Sequence, residues 1–336
     1  SEMCIRDSPN ERLQLELPAI QGVRSISPAV PYGHPGLIVE VNRSPEQSTN
    51  LPLLMGNNAC VGIRRLHVLS HPGLNFLIVS DGSLRSQSSI ALGGYMARMA
   101  HAQVVLLGVG QDQKKLDDHL QDAKKQMGSG MASMHVKTSR ASFSESIPKA
   151  IEEQHIDLVV LGWRPTGGFE QPEAVLHAGD HHLFLATKPL ARLNKALICL
   201  AGGEPGKDTV VFAGRLLRHM GAEATLLTTI PDAVENNFTT DRAERFLAGG
   251  LNSLVHFGVP AETRIRHGDL LTAVKQELDL VDYDLIVLGA PLPDQQKQRG
   301  LSGFVGSIIS SVENCSFLIV QSQNYQRLQN PLSSEL

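Results

Sequence analysis

The sequence predicts an α/β fold built twice: two tandem open five-stranded parallel-sheet α/β sandwiches behind an N-terminal extension. Three observations carry this. Runs such as residues 196–201 and 317–320 are apolar throughout and have strand length, the pattern of strands buried on both faces. They alternate with longer stretches bearing apolar stripes at helical spacing, and alternating strand and helix gives a parallel sheet wound by crossovers. The pattern also repeats. Leu77-Ile78-Val79 returns as Leu197-Ile198-Cys199 and the run 101–107 returns as 221–227, both displaced by 120 residues. Asp157-Leu158-Val159-Val160-Leu161-Gly162 returns as Asp284-Leu285-Ile286-Val287-Leu288-Gly289, displaced by 127. Three matches in one order, with one drift of seven residues, indicate a tandem duplication with a small insertion.

The second unit is the more legible. Residues 196–200 form its first strand. The next helix carries Val210, Ala213, Leu217 and Met220 on one face and ends at Gly221, which suits a left-handed C-terminal residue. Strand 224–228 is followed by a helical stretch over 232–257, expected to break at Gly249-Gly250. Strand 263–266, a helix with Leu271, Val274 and Leu278 in register, strand 285–288, a helix with Val305, Ile309 and Val312, and strand 317–320 complete the unit. In the first unit Ile90, Gly93, Ala97 and Ala100 repeat the first stripe with small residues, letting that helix lie close to its sheet. The ligand crevice of such sheets is expected at the carboxyl ends of the strands. The assigned boundaries are a non-native leader over 1–8, an extension over 9–70, units over 71–190 and 191–325, and a tail over 326–336. The leader, SEMCIRDS, reads like a translated sequencing adapter. In the extension, 37–41 is a strand candidate and 53–55 a shorter one.

Composition excludes several classes. Of 336 residues 42% are hydrophobic and 19% charged, so collagen, a coiled coil and wholesale disorder do not fit. A net charge of −4 supplies no drive toward nucleic acid or anionic lipid, so any anion site must rest on backbone amides. Apolar runs stop short of the roughly 18 residues of a membrane helix. The four cysteines form no C-x-x-C pair, and Cys199 and Cys315 beside apolar runs read as buried free thiols in a reducing, cytoplasmic setting.

The first strand ending in Asp81-Gly82-Ser83 resembles the universal stress protein family. So do the block from Arg264 to Ala290 (RIRHGDLLTAVKQELDLVDYDLIVLGA), then GLSGFVGSIISSV from Gly300 and FLIV from Phe317. The likeness covers roughly residues 74–322. It implies an adenine nucleotide alpha hydrolase-like fold and a role in stress response or regulation. It also implies binding of ATP or a related adenine nucleotide, and dimerisation. Here the two units would serve as a pseudo-dimer, with a homo-dimer and a protein partner left open. In the family's pattern an Asp after the first strand meets the adenosine, and a G-x2-G-x9-G-(S/T) run wraps the phosphates, where glycines permit close approach and helix-start amides face an anion.

The motif is divided between the units. The first keeps Asp81 and Gly162 but follows with Trp163-Arg164-Pro165-Thr166-Gly167-Gly168, and a displacement of 127 sets Gly179-Asp180 against Gly306-Ser307. The second keeps Gly289 and Gly306-Ser307 but lacks an acid after its first strand. Its glycine spacing is 17 residues against 13, with Leu292 at the second glycine and the loop 294–299 holding extra residues. Carried over, the resemblance gives Gly289, Gly300, Gly303, Gly306 and Ser307 around the phosphates, and Gly306→Asp is expected to abolish binding.

Other candidates are weaker. Gly202-Gly203-Glu204-Pro205-Gly206-Lys207-Asp208 fails the P-loop pattern at Ala201 and Asp208, although Lys207 could bring positive charge toward the crevice. His177 and His181 could share a helix face and bind zinc, but a solvated loop is the preferred reading of His177, Asp180, His181 and His182, and no metal site is assigned. Neither Ser83 nor Ser302 sits in a nucleophile elbow, and Ser83 reads as a helix cap, so no catalytic residue is assigned. Two alternatives accompany the nucleotide-binding reading. One is a nucleotide-free regulatory or interaction domain, such as the soluble tail of a membrane transporter. The other is an enzyme hydrolysing or transferring phosphate.

Overall fold

A computed structural model describes residues 23–29, 36–41, 62–65, 74–129, 131–164, 168–190, 192–200, 204–230, 237–290, 301 and 303–322. The chain divides into two compact units, residues 1–72 and 73–336. The first holds β1 (Val23–Ala29), β2 (Gly36–Val41) and β3 (Gly62–Arg65). β2 pairs antiparallel with β1 and parallel with β3. The leader over 1–8, the strand candidate at 53–55, and Cys4 and Cys60 lie outside the described residues.

The second unit is one ten-stranded sheet. Its first half comprises β4 (Asn75–Ser80), α1 (Ser86–Met99), β5 (Gln103–Val109), α2 (Gln113–Met127), β6 (Ser133–Ser139), α3 (Phe143–Glu153), β7 (Leu158–Gly162), α4 (Glu170–His177) and β8 (His182–Ala186). Its second half comprises β9 (Lys195–Cys199), α5 (Glu204–Met220), β10 (Glu223–Ile230), α6 (Asn237–His256), β11 (Ala261–His267), α7 (Leu270–Leu280), β12 (Leu285–Gly289), α8 (Phe304–Ser311) and β13 (Ser316–Val320). The strand order is β11-β10-β9-β12-β13-β8-β7-β4-β5-β6. Each half therefore has the same order, third-second-first-fourth-fifth, and all pairing within a half is parallel. The halves join where β8 and β13 run antiparallel, with Leu185 opposite Phe317 and Leu183 opposite Ile319.

The apolar runs are explained by two cores, one on each face. On β4, Phe76 and Ile78 enter one core while Leu77 and Val79 enter the other; on β13, Leu318 and Val320 divide likewise from Phe317 and Ile319. Helices α1, α2, α5 and α6 cover the first face, and α3, α4, α7 and α8 the second. Corresponding helices of the two halves thus share a face, the arrangement of two subunits about a two-fold axis. Fully burying one such Leu, Ile or Phe contributes about 2 kcal/mol, so each core, drawing residues from both halves, ties them together.

The repeated aspartates close the strand bottoms. Asp157 Oδ2 accepts from the Asn75 amide at 2.8 Å, and Asp284 Oδ2 accepts from the Asn194 amide at 2.7 Å. Each aspartate thus ties a fourth strand to the start of its first strand, so this part of the duplication is structural. Gly93 acts as expected: a Cβ there would come within 2.9 Å of Ile78 Cδ1. The expected break at Gly249-Gly250 does not occur, because α6 runs through it. Gly250 is instead a contact surface, where a Cβ would meet Leu226 Cδ1 at 3.1 Å.

Candidate functional site

In both halves the strand order reverses beside the first strand, and the crevice of such a sheet lies there, at the carboxyl ends. In the second half that point lies between β9 and β12, and in the first between β4 and β7.

The second half places Gly289 last in β12, and among the described residues a Cβ added there would meet only the Thr209 hydroxyl, at 3.3 Å. The next amide, Ala290, donates to the Val320 carbonyl at 2.8 Å, carrying the chain along β13. Gly303 is the N-cap of α8 with φ +83°, a conformation suited to glycine. Gly306 and Ser307 follow in the first turn, and that turn has no acidic residue. Ser307 is exposed, and both its amide and its hydroxyl donate to the Gly303 carbonyl, at 2.9 and 2.8 Å. Lys207 is exposed in the first turn of α5, while the neighbouring Asp208 carboxylate bonds the Ser322 hydroxyl just past β13. Gly300, Leu292, Gly202, Gly203, Ser302 and the loop 294–299 lie outside the described residues.

Gly306 requires a correction. A Cβ on it would fall 1.8 Å from the Leu301 carbonyl oxygen and 3.3 Å from Phe169 Cε2. The turn preceding α8 needs glycine for packing alone, so Gly306→Asp tests folding before it tests an anion site.

The first half is built differently at the same points. Asp81 directly follows β4 and accepts from the Ser83 amide at 2.9 Å, with the Arg85 guanidinium 3.9 Å away. Burial pushes its carboxyl up, but the Ser83 donors, Arg85 and Ser86 outweigh this and hold it below the ordinary value. Ser83 does not cap α1, whose N-cap is Arg85 with no side-chain bond; the Ser83 carbonyl instead accepts from the Ser86 amide at 3.1 Å. Gly162 ends β7 under the start of α1, where a Cβ would lie 2.0 Å from the Arg85 carbonyl oxygen. Trp163 follows and is buried. Its indole stacks on Phe169 at 5.8 Å, meets Phe317 edge-on at 6.4 Å and donates from Nε1 to the Gly168 carbonyl at 3.1 Å. Behind them the buried Ser80 hydroxyl bonds His119 Nε2 at 2.8 Å, a pair 39 residues apart that sequence reading missed. Because Ser80 is 1% exposed, the pair braces α2 against β4 and presents no nucleophile.

The structure also changes the alignment of the motif. Helices α4 and α8 begin 134 residues apart (170 and 304), as do β8 and β13 (182 and 316). Gly306-Ser307 therefore corresponds to Pro172-Glu173, not to Gly179-Asp180 as a displacement of 127 implies. A further seven residues lie between β12 and α8. Where the second half has glycine and serine, the first has a residue with no N–H and a carboxylate, with Glu170 also in that first turn.

The histidine cluster is only in part solvated: His177, the last residue of α4, and Asp180 are exposed. His181 and His182 are buried at the start of β8, and no group of metal-ligating side chains forms among the described residues. His182 Nδ1 accepts from the Gln321 amide at 3.1 Å and its ring lies 3.7 Å from that of Phe212. Burial, followed by His181 and Arg215, pushes its pKa down to about 3, so it is neutral, with the proton on Nε2. Cys199 and Cys315 are buried free thiols, both pushed up by burial, Cys315 to about 11; neither is a nucleophile at neutral pH. Among the described residues no helix is long and apolar enough to cross a membrane.

No family model and no curated protein matches the sequence. Solved structures do resemble it in fold. A universal stress protein from Archaeoglobus fulgidus DSM 4304 is similar over 74% of this chain and 98% of its own, with a TM-score of 0.55 and 13% identity. A functionally unknown protein from Pseudomonas aeruginosa PAO1 is similar over 78% of this chain and 98% of its own, with a TM-score of 0.54 and 11% identity. At such identities the likeness is one of fold, and it spans both halves: the fold of this chain is that of the universal stress proteins.

Proposed function

We propose that the second half binds an adenine nucleotide, ATP or a relative, with its phosphates at the start of α8 against the segment formed by Gly289, Gly300, Gly303, Gly306 and Ser307. The observation that carries this reading is the contrast between α8 and α4. An α-helix starts with unpaired amides and a partial positive charge, which favour an anion. In α8 that start is led by Gly303, contains no acid and exposes Ser307; in α4 the same turn already contains Glu170 and Glu173. Lys207 is proposed as an added cation near the crevice. Asp81 and Gly162 are read as remnants of a first-half site whose glycine is covered by α1 and whose adjoining residue is Trp163. The role proposed is regulatory, in stress response and without turnover, in a reducing cytoplasmic compartment.

The test is an equilibrium titration of the full chain with ATP, alongside Ser307→Asp. Ser307 is exposed, so the substitution adds a carboxylate to the anion position without the collision that Gly306→Asp entails. Wild type should bind and the variant should bind at least about tenfold more weakly. Absence of binding by wild type at millimolar ATP would sink the reading. A second reading, a nucleotide-free interaction module, is favoured by the division of the motif between the halves, and that result would support it.

A further inference from the structure

We propose that Glu173, in the first half, is a positioning residue for the second half: its carboxylate clamps Leu301 and thereby sets the turn that opens α8. The inference rests on reading the start of α8 as the phosphate end, but the clamp itself is a separate claim. Leu301 is 0% exposed, so its amide needs an acceptor within the protein. The acceptor is Glu173 Oε1, at 2.7 Å and 128 residues away in sequence. The Leu301 carbonyl oxygen sits over Gly306, at the place where a Cβ on that glycine would be, and its side chain belongs to the core shared by both halves. Leu301 is thus fixed by its amide, its carbonyl and its side chain, two residues before Gly303 takes up φ +83° and begins the helix. Phe169, also from the first half, closes the other side of Gly306.

The identity of the clamp explains the divided motif. In the 134-residue alignment Glu173 occupies the position of Ser307. Ser307 turns its hydroxyl back to its own helix, onto the Gly303 carbonyl, whereas Glu173 reaches across to the other half. One substitution therefore removes a phosphate-compatible residue from the first half and supplies a charge-assisted bond to the second. In these terms the first half positions Leu301, just ahead of α8 in the second.

The test compares Glu173→Ala and Glu173→Gln in the full chain, reading hydrogen exchange at the Leu301 amide by NMR and affinity for ATP. The clamp predicts that Glu173→Ala speeds Leu301 exchange at least tenfold, leaves the Leu318 amide in the central strand unchanged, and weakens ATP binding. Glu173→Gln keeps an accepting oxygen, so it should restore Leu301 protection to within a few-fold of wild type and restore affinity with it. Unchanged Leu301 exchange in Glu173→Ala would overturn the proposal. So would tighter ATP binding in both variants, which would make the carboxylate a competitor of the anion. If wild type binds no ATP, the nucleotide reading fails, and the exchange of Leu301 still decides for or against the clamp.

Discussion

At the end of β7 the first half places Gly162 and Trp163; at the end of β12, 127 residues later, the second places Gly289 and Ala290. The backbone performs the same task at both, since the Trp163 amide donates to the Ala186 carbonyl and the Ala290 amide to the Val320 carbonyl. The side-chain environments diverge. Gly162 lies under the Arg85 carbonyl and its neighbour is a buried indole, while among the described residues a Cβ on Gly289 would touch only the Thr209 hydroxyl. After a duplication, the bonds that hold the sheet persist in both copies while the loop ends specialise. The lesson is that a glycine retained in a motif can be retained for packing, and that the motif alone does not tell which.

The largest expected effect tests the closure of the first half. Trp163→Ala removes a buried ring that contacts Phe169 and Phe317 and should cost about 3–5 kcal/mol in chemical denaturation. A cost near zero would mean that the indole is not part of the packed seam. Next come the two glycines. Gly162→Ala drives a methyl into backbone and should cost about 3 kcal/mol or more, whereas Gly289→Ala should cost less than about 1 kcal/mol. Equal losses would erase the difference on which the comparison rests.

The seam itself is asymmetric in a titratable way. His182 accepts from the Gln321 amide, and at the corresponding place Ser316 accepts from the Thr187 amide at 3.5 Å. His182 has its pKa pushed down to about 3 in the fold, against about 6.5 in the unfolded chain, so the unfolded state binds the extra proton between these values. Stability is then full above pH 6.5 and falls as pH drops toward 3, by about 2 kcal/mol between pH 6.5 and 5. His182→Gln should flatten that part of the profile, and an unchanged slope would refute the assignment. His219, also lowered chiefly by burial, contributes in the same direction and remains in the variant.

The smallest effects should be equal ones. Asp157→Asn weakens the bond from the Asn75 amide and Asp284→Asn those from the Asn194 and Lys195 amides, the latter a long 3.3 Å, and each substitution should cost about 1 kcal/mol. A large difference between them would show that the duplication is less symmetric at its base than its geometry indicates.

Much of the sheet was legible in sequence because strands buried on both faces are apolar at every position, and two such copies align by eye. The join between β8 and β13 was not legible, since antiparallel pairing of residues 183–185 with 317–319 leaves no local pattern. That join buries His181 and His182, which by residue type alone read as solvated. The shift from 127 to 134 was hidden because the added residues lie in the loop before α8, where the halves share no recognisable sequence. Gly249-Gly250 misled for a related reason: glycine marks a helix break or a close contact, and only the position of Leu226 decides. Of the proposed site, Gly303, Gly306 and Ser307 stand out in the sequence by their resemblance to a phosphate-binding run, whereas Glu173 does not, its contact being 128 residues away.

A crystal structure of the full chain soaked with ATP tests the central claim most directly. The account predicts one nucleotide per chain, with phosphate density against the first-turn amides of α8, and none beside Asp81 and Gly162 or at the start of α4. Phosphates in the first half, or an unoccupied α8 at saturating ATP, would contradict it.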